Sequence, residues 1–473
     1  MKFKSLILAG VTGLLTFSGC SKFLEEKSQS EVIPKTAIDY RELLIGSGYM
    51  NNSEPMNMVY FMDDDVDLFI EFANGQESPV GKYDAKYSYL YYTWQPKLAD
   101  MNGVGDRTSE DPAATPYAAY YKWIMGCNAV LENIDQSIGS DKDKARVKAE
   151  ALAVRAFYYF RLANLYGEPY NYRPQSLCVP LKLSSGMTDK PLKQNTVQEV
   201  YDQVVNDLKQ AVELMDPLPI VRKDYHINQP ATHILLSRIY LYMEKYNEAI
   251  EEANKVFDQG GVLADLTALE VYSWLTYANP EVEWLYGGNT QPNQTTYIPA
   301  AAFRGTFDPA DVRGTKGIQV QSGTFVPLVS KLPTSAALAQ TLRTPEALLN
   351  RAEAYVQLDK LSDALKDLNN LRRTRIPGYK DEAVTDKATL LQAVREERRK
   401  EFCFENFRWF DLRRYGMPAI THRYQHEPGE PVLQYKLAEK DPAYTLPFAT
   451  SLLTRNPALI QNPSGMAPDR IGQ

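Results

Sequence analysis

The stretch ATHILLSRIYLYMEKYNEAIEEANKVF, residues 231–257, and its echo EALLNRAEAYVQLDKLSDALKDLNNLR, residues 346–372, decide the fold. With Tyr240 laid on Tyr355, Met243 meets Leu358, Lys245 meets Lys360, Tyr246 meets Leu361, Ala249 meets Ala364, Ile250 meets Leu365 and Asn254 meets Asn369. Small alanines that let two helices approach, and large residues that fill the groove between them, make the tetratricopeptide pattern of about 34 residues per repeat. Two copies separated by an insertion predict an interrupted solenoid, not a continuous array.

Working outward, residues 117–138 carry Tyr120, Ile124, Cys127, Val130, Leu131 and Ile134 at helical spacing, and 145–166 carry Leu152, Ala156, Tyr159, Leu162 and Ala163. Gly167 and Pro169 stop the second of this pair. From Thr196 to about Met215 a third helix shows Val200, Val204, Leu208 and Val212 on one face, with Thr196 and Glu199 placed as a capping box. The insertion, roughly 258–343, has no sustained helical period; it sets Trp274, Trp284, Tyr286, Tyr297, Phe303, Phe307 and Phe325 among Gly, Pro, Asn and Thr. Residues 50–116 and 415–473 are irregular as well. The expected fold is mainly α, tetratricopeptide-like helical repeats carrying long irregular, aromatic-rich insertions, on which binding residues commonly sit.

The amino terminus reads as a processing signal. Lys2 and Lys4 precede an apolar run from Leu6 to Phe17, shorter than the roughly 20 residues a spanning helix needs, and then Ser18 and Gly19 precede Cys20. Phe17-Ser18-Gly19-Cys20 reads as a lipobox, with Phe17 bulkier than the usual leucine. The expectation is a lipoprotein signal at 1–19, lipid on Cys20, a flexible tether at 20–34 and a single domain over 35–473. Contact with the membrane would then run through the lipid anchor only.

Of the remaining cysteines, Cys127, Cys178 and Cys403 are far apart and odd in number, which gives no disulfide framework and no metal spacing. A net charge of −7 over 473 residues argues against nucleic acid, which calls for a basic face. Tyrosine is the compositional outlier, with 31 residues beside 5 Trp and 17 Phe; flat rings with a polar edge suit sugar stacking and peptide contact, although most must pack helices.

Several segments together resemble the RagB/SusD family of outer-membrane nutrient-uptake lipoproteins. They are Cys20-Ser-Lys-Phe-Leu-Glu-Glu, Tyr92-Thr-Trp-Gln, Asn128 to Asp135, Ala149-Glu-Ala-Leu through Leu165-Tyr-Gly167, Thr196 to Gln203 with Asp207-Leu208, and Arg351 to Tyr355. Further along come Glu396 to Glu401, Phe404-Glu405, Arg408 to Arg414, Tyr444 to Pro447, Asn456-Pro457 and Gln461 to Pro463. They keep the family's order over nearly the whole chain. The resemblance implies a helical lid on a SusC-like TonB-dependent outer-membrane channel, lipid-anchored, facing the exterior, and delivering glycans or other nutrients. In the family, aromatics before the first repeat helices and from a later insertion form a sugar-binding arc, which corresponds here to 83–107 and 272–307. No single glycan-binding residue is matched by a motif, and Gln194 stands where many members have Arg.

The candidate ligand-binding residues are Trp274, Trp284, Tyr286, Trp94, Tyr89, Tyr91 and Arg304. Aromatic faces would stack on sugar C–H groups, while polar side chains at the rim take hydroxyls. Trp94 ranks below Trp274 and Trp284, because Tyr91-Tyr92-Thr93-Trp94 is helix-like and suits a core. Glu396 to Arg414 alternates charges at three- and four-residue spacing among aromatics, and reads as a helix with internal ion pairs rather than an anion site. His422 and His426, four apart, lack a third metal ligand and read as a solvated loop. Asp63, Asp64, Asp65 and Asp67 lack the calcium-loop pattern and read as a turn. No metal or other cofactor is expected. No nucleophile elbow, HExxH, P-loop or dinucleotide fingerprint occurs, so an enzyme is not expected. A peptide-binding repeat scaffold and a peptide nutrient are the competing readings; carboxylate pairs for a glycosidase are too common among 59 acidic residues to carry weight.

Overall fold

In the computed structural model, residues 33–50, 59–71, 77–79, 89–100, 116–288, 298–320, 327–331, 338–427 and 429–473 are described. The signal segment, Cys20 and the tether up to residue 32 lie outside them, as do Tyr297 and Phe325. The main helices are α1 (Ala37–Leu43), α2 (Pro116–Asn133), α3 (Asp141–Tyr166), α4 (Val197–Met215), α5 (Gln229–Tyr242), α6 (Tyr246–Asp258), α7 (Thr344–Gln357), α8 (Leu361–Arg373), α9 (Lys387–Glu401) and α10 (Arg408–Arg414). The capping box at α4 forms as expected: the Thr196 hydroxyl accepts from Glu199 N, and the Glu199 carboxylate accepts from Thr196 N at 2.7 Å. At the start of α5, Asn228 accepts from Ala231 N and Pro230 occupies the first turn.

The helices stack in chain order, α2 on α3, α3 on α4, α4 on α5 and α5 on α6, and then α6 lies directly against α7. The chain is interrupted between the two repeats, but the solenoid is not. Cross-repeat polar contacts close the joint: Arg238 forks the Glu346 carboxylate, Arg351 donates to Asn254 Oδ1 at 2.7 Å, and Asn350 donates to the Ser237 hydroxyl at 3.4 Å. All of α5 is buried, because α4, α6 and α7 cover it. Gly126 in α2 meets the Ser47–Gly48 backbone so closely that a Cβ would overlap Ser47 O. That contact seats α1 and its continuation, Leu44–Gly48, against the bundle.

The described residues between 258 and 343 leave this stack as short strands and single turns. Strand β1 (Val282–Gly288) pairs antiparallel with β2 (Leu338–Arg343), which returns the chain from the insertion to the repeats. A buried ion network then joins insertion to repeats. Lys331, Arg313, Arg343, Arg372 and Arg375 meet Glu281, Asp311, Glu397, Glu401 and Glu405, five cations against five carboxylates. The charge-rich stretch from Glu396 is thus structural, as its spacing suggests. It is not one helix, however: α9 ends at Glu401, Phe404 and Asn406 take left-handed backbone, and α10 restarts at Arg408. Cys127, Cys178 and Cys403 are buried free thiols.

Candidate ligand-binding site

Strands β3 (Ile420–Tyr424) and β4 (Leu433–Leu437) form a hairpin with Tyr435 opposite His422. The chain end adds an outer rung, Gln434 and Gln473 exchanging backbone hydrogen bonds at 2.8 and 3.0 Å. Period-two alternation buries Ile420, His422 and Tyr424 on one face and leaves Thr421 to solvent. His422 is therefore not in a solvated loop: its ring lies stacked between Tyr92 and Trp94, with centroids 4.0 and 4.3 Å away. Its Nδ1 is 2.7 Å from Tyr92 O and its Nε2 2.9 Å from Asp63 O. Burial pushes the imidazole pKa down to about 4, and the neutral ring donates to one of those carbonyls at a time.

At the end of the same hairpin, His426 is exposed and reaches Tyr89, a half-buried residue at the start of the 89–92 helical turn. Tyr89 sits 4.9 Å from Tyr424, 5.1 Å from His426 and 6.0 Å from Tyr435, ring to ring. The polar edges of these rings bond to one another: His426 Nε2 is 2.8 Å from Tyr435 Oη, the Tyr89 and Tyr435 hydroxyls are 3.4 Å apart, and Gln95 Nε2 donates to Tyr89 Oη at 3.3 Å. Burial pushes the Tyr424 pKa up to about 12, so its hydroxyl stays protonated at neutral pH. Hydroxyl, amide and imidazole groups beside aromatic faces suit a polyhydroxy ligand.

The other candidates are dispersed. Trp94 is 1% exposed, and its Nε1 donates to Met62 O at 2.9 Å. Trp284, 1% exposed, stacks on Tyr286 at 4.6 Å, and both rings pack edge-on to Phe157 inside the bundle. Trp274 packs with Leu266 and Val312; the cavity beside it measures about 10 Å³, room for one water and not for a sugar ring. Tyr91 is partly buried against the main core, and Arg304 donates from Nε to Pro299 O at 3.2 Å. Of the seven, Tyr89 alone joins the hairpin cluster. His426, Tyr435 and Gln95 were not among the expected residues; Gln95 falls in the 83–107 zone that the family resemblance implies, and the four-residue spacing of His422 and His426 read only as a solvated loop. Asp63 to Asp67 is an ion-pairing turn: Asp64 takes Arg408 at 2.7 Å, Asp65 takes Arg399 at 2.6 Å and Asp67 takes Arg423 at 2.9 Å. No His, Cys, Asp or Glu group that could hold a metal occurs among the described residues.

Comparison with known proteins identifies the class this architecture belongs to. Residues 22–241 match the family described as "Starch-binding associating with outer membrane", and residues 331–464 match the SusD family. The chain belongs to the SusD/RagB family. Similar solved structures include a SusD-like carbohydrate binding protein of Bacteroides vulgatus, 21% identical, with TM-score 0.66 and coverage of 90% of this chain and 97% of that one. A SusD superfamily protein of Bacteroides thetaiotaomicron is 23% identical, with TM-score 0.69 and coverage of 90% and 100%. Another from Bacteroides vulgatus is 22% identical, with TM-score 0.70 and coverage of 91% and 99%. No curated protein matches the chain. Among the described residues no helix is long and apolar enough to cross a membrane.

Proposed function

We propose that this protein is a lipid-anchored outer-membrane glycan-binding protein that caps a TonB-dependent channel and passes saccharide to it. The observation that carries the sugar reading is the pair of half-buried Tyr89 and exposed His426, which reach the surface over buried Tyr435 and Gln95 and are hydrogen-bonded to them. Family membership supports it, and the lipobox at Cys20 supports attachment at the membrane. The repeat frame does not favour a peptide scaffold, because the inner helix α5 is buried along its whole length and the chain's own helices fill its groove. The reading assigns no catalytic step to the chain.

Calorimetric titration with maltoheptaose, soluble starch, xylan, pectic galactan and mucin glycans tests the sugar part. Tyr89→Ala with His426→Ala should weaken binding about tenfold, the effect expected of losing an aromatic anchor. A wild-type protein that binds none of these and binds peptides instead refutes it. Cys20→Ser should release the protein from the membrane fraction, and wild-type protein extracted in mild detergent should bring down one large barrel. Recovery of soluble partners alone would refute the channel part.

A further inference from the structure

The linker between α4 and α5 contains a feature that the hairpin cluster does not account for. Lys223 and Tyr225 both have φ of 65°, in the left-handed region that L side chains avoid and that Gly, Asn or Asp occupies more cheaply. Tyr225 is nevertheless an aromatic, and it is 56% exposed. Exposure alone is ordinary; Tyr272 is 66% exposed on a single turn with no left-handed residue. Exposure on strained backbone is not ordinary, since such strain persists where the surroundings over-determine it and gathers at binding sites.

Here the surroundings do over-determine it. Trp284 Nε1 donates to Tyr225 O at 3.2 Å, the Tyr277 ring stands edge-on to Tyr225 at 5.2 Å, and His226 N donates to Asp224 Oδ1 at 3.2 Å. Beyond it, His226 Nδ1 is 2.7 Å from Glu150 Oε2, a carboxylate that also accepts from the Tyr49 hydroxyl at 3.1 Å. On the other side, Arg222 donates to Glu283 at 2.8 Å and Asn228 to Val221 O at 3.3 Å. Both flanks of the loop are pinned, so the Tyr225 ring is presented without an ordering cost on binding. These contacts also use the interior Trp284, whose indole N–H holds the loop from below.

We infer that loop 221–227 is a second saccharide site, in which Tyr225 is the platform for a neutral pyranose ring and Asp224 and His226 take its hydroxyls. The inference rests on the glycan-binding reading and adds to it a contact point on elements separate from the hairpin cluster. Two points of contact would favour a polymer over a short fragment, because the second engagement is intramolecular.

The test compares wild type, Tyr225→Asn and the double variant Tyr89→Ala with His426→Ala, using soluble starch, maltoheptaose, xylan, pectic galactan and mucin glycans. Asn relieves the backbone strain, so Tyr225→Asn should melt at the same temperature as wild type or higher, while binding polymer at least fivefold more weakly. The double variant should keep residual polymer binding, which adding Tyr225→Asn abolishes. Unchanged affinity of Tyr225→Asn for every saccharide that wild type binds overturns the second site alone. A wild type that binds none of the panel overturns the glycan reading and the second site with it.

Discussion

Replacing Glu401 with Gln isolates the electrostatics of the joint between insertion and repeats. The Glu401 carboxylate, fully buried, accepts from Arg375 Nε and Nη2 at 2.9 Å each, from Arg313 Nη1 at 3.0 Å and from Arg343 Nη1. Burial alone would raise its pKa, but Arg375 and Arg343 hold it well below the ordinary glutamate value. Glutamine keeps the shape and removes the charge, leaving five buried cations against four carboxylates. Breaking a buried ion pair costs about 3–5 kcal/mol. Each arginine retains another partner, Glu281 for Arg375 at 2.8 Å, Asp311 for Arg313 at 2.7 Å and Glu405 for Arg343 at 2.9 Å, which puts the expected loss at the lower end, about 3 kcal/mol. Urea unfolding followed by circular dichroism measures it. Asp381→Asn, which breaks the exposed pair with Arg373, is the control and should lose less than about 1 kcal/mol. Because the folded pKa is depressed, the Glu401 contribution is fully present above about pH 4.5 and is lost as pH falls through the folded value. The variant should therefore lose less stability on acidification than wild type. A loss below about 1 kcal/mol at neutral pH would refute the view that this network locks the insertion in place.

His422 supplies a second pH window of opposite origin. The unfolded imidazole takes a proton below about pH 6.5, the folded one only near 4, so stability should fall by up to about 3 kcal/mol as pH drops between those values and be indifferent to His422 above them. An NMR titration midpoint for His422 above 6.5 would contradict this, and would mean that a charged ring bridges both carbonyls. Gly126→Ala gains helix propensity but drives a methyl into the Ser47 backbone, and should cost about 2–3 kcal/mol net. An unchanged melting temperature would show that the Leu44–Gly48 turn yields freely.

How much of this was legible in the sequence varies by element. The paired helices were, because tetratricopeptide packing needs Ala249, Ala364 and their large neighbours at fixed spacing, and that period survives in a single chain. The capping box at Thr196 was legible for the same local reason. The break at 402–407 was not: Phe404 and Asn406 adopt left-handed backbone, which is set by what packs around them and not by their own preference. The aromatic site was the least legible part. Trp94, Trp274, Trp284 and Tyr286 look alike in a sequence rich in Gly, Pro and Asn, yet Trp94, Trp274 and the stacked pair of Trp284 and Tyr286 are buried in three different settings.

By itself the sequence determined the repeat units, the capping box at Thr196 and the family, since each is read from short patterns of residues close together in the chain. Tertiary structure alone decided that the interrupted repeats close into one stack, with α6 meeting α7 across the insertion, because the antiparallel pairing of β1 and β2 returns the chain to the repeats. It also decided which rings face solvent. That choice follows from three-dimensional burial, where Tyr89 meets His426 across more than 300 residues of chain, a proximity no local pattern encodes.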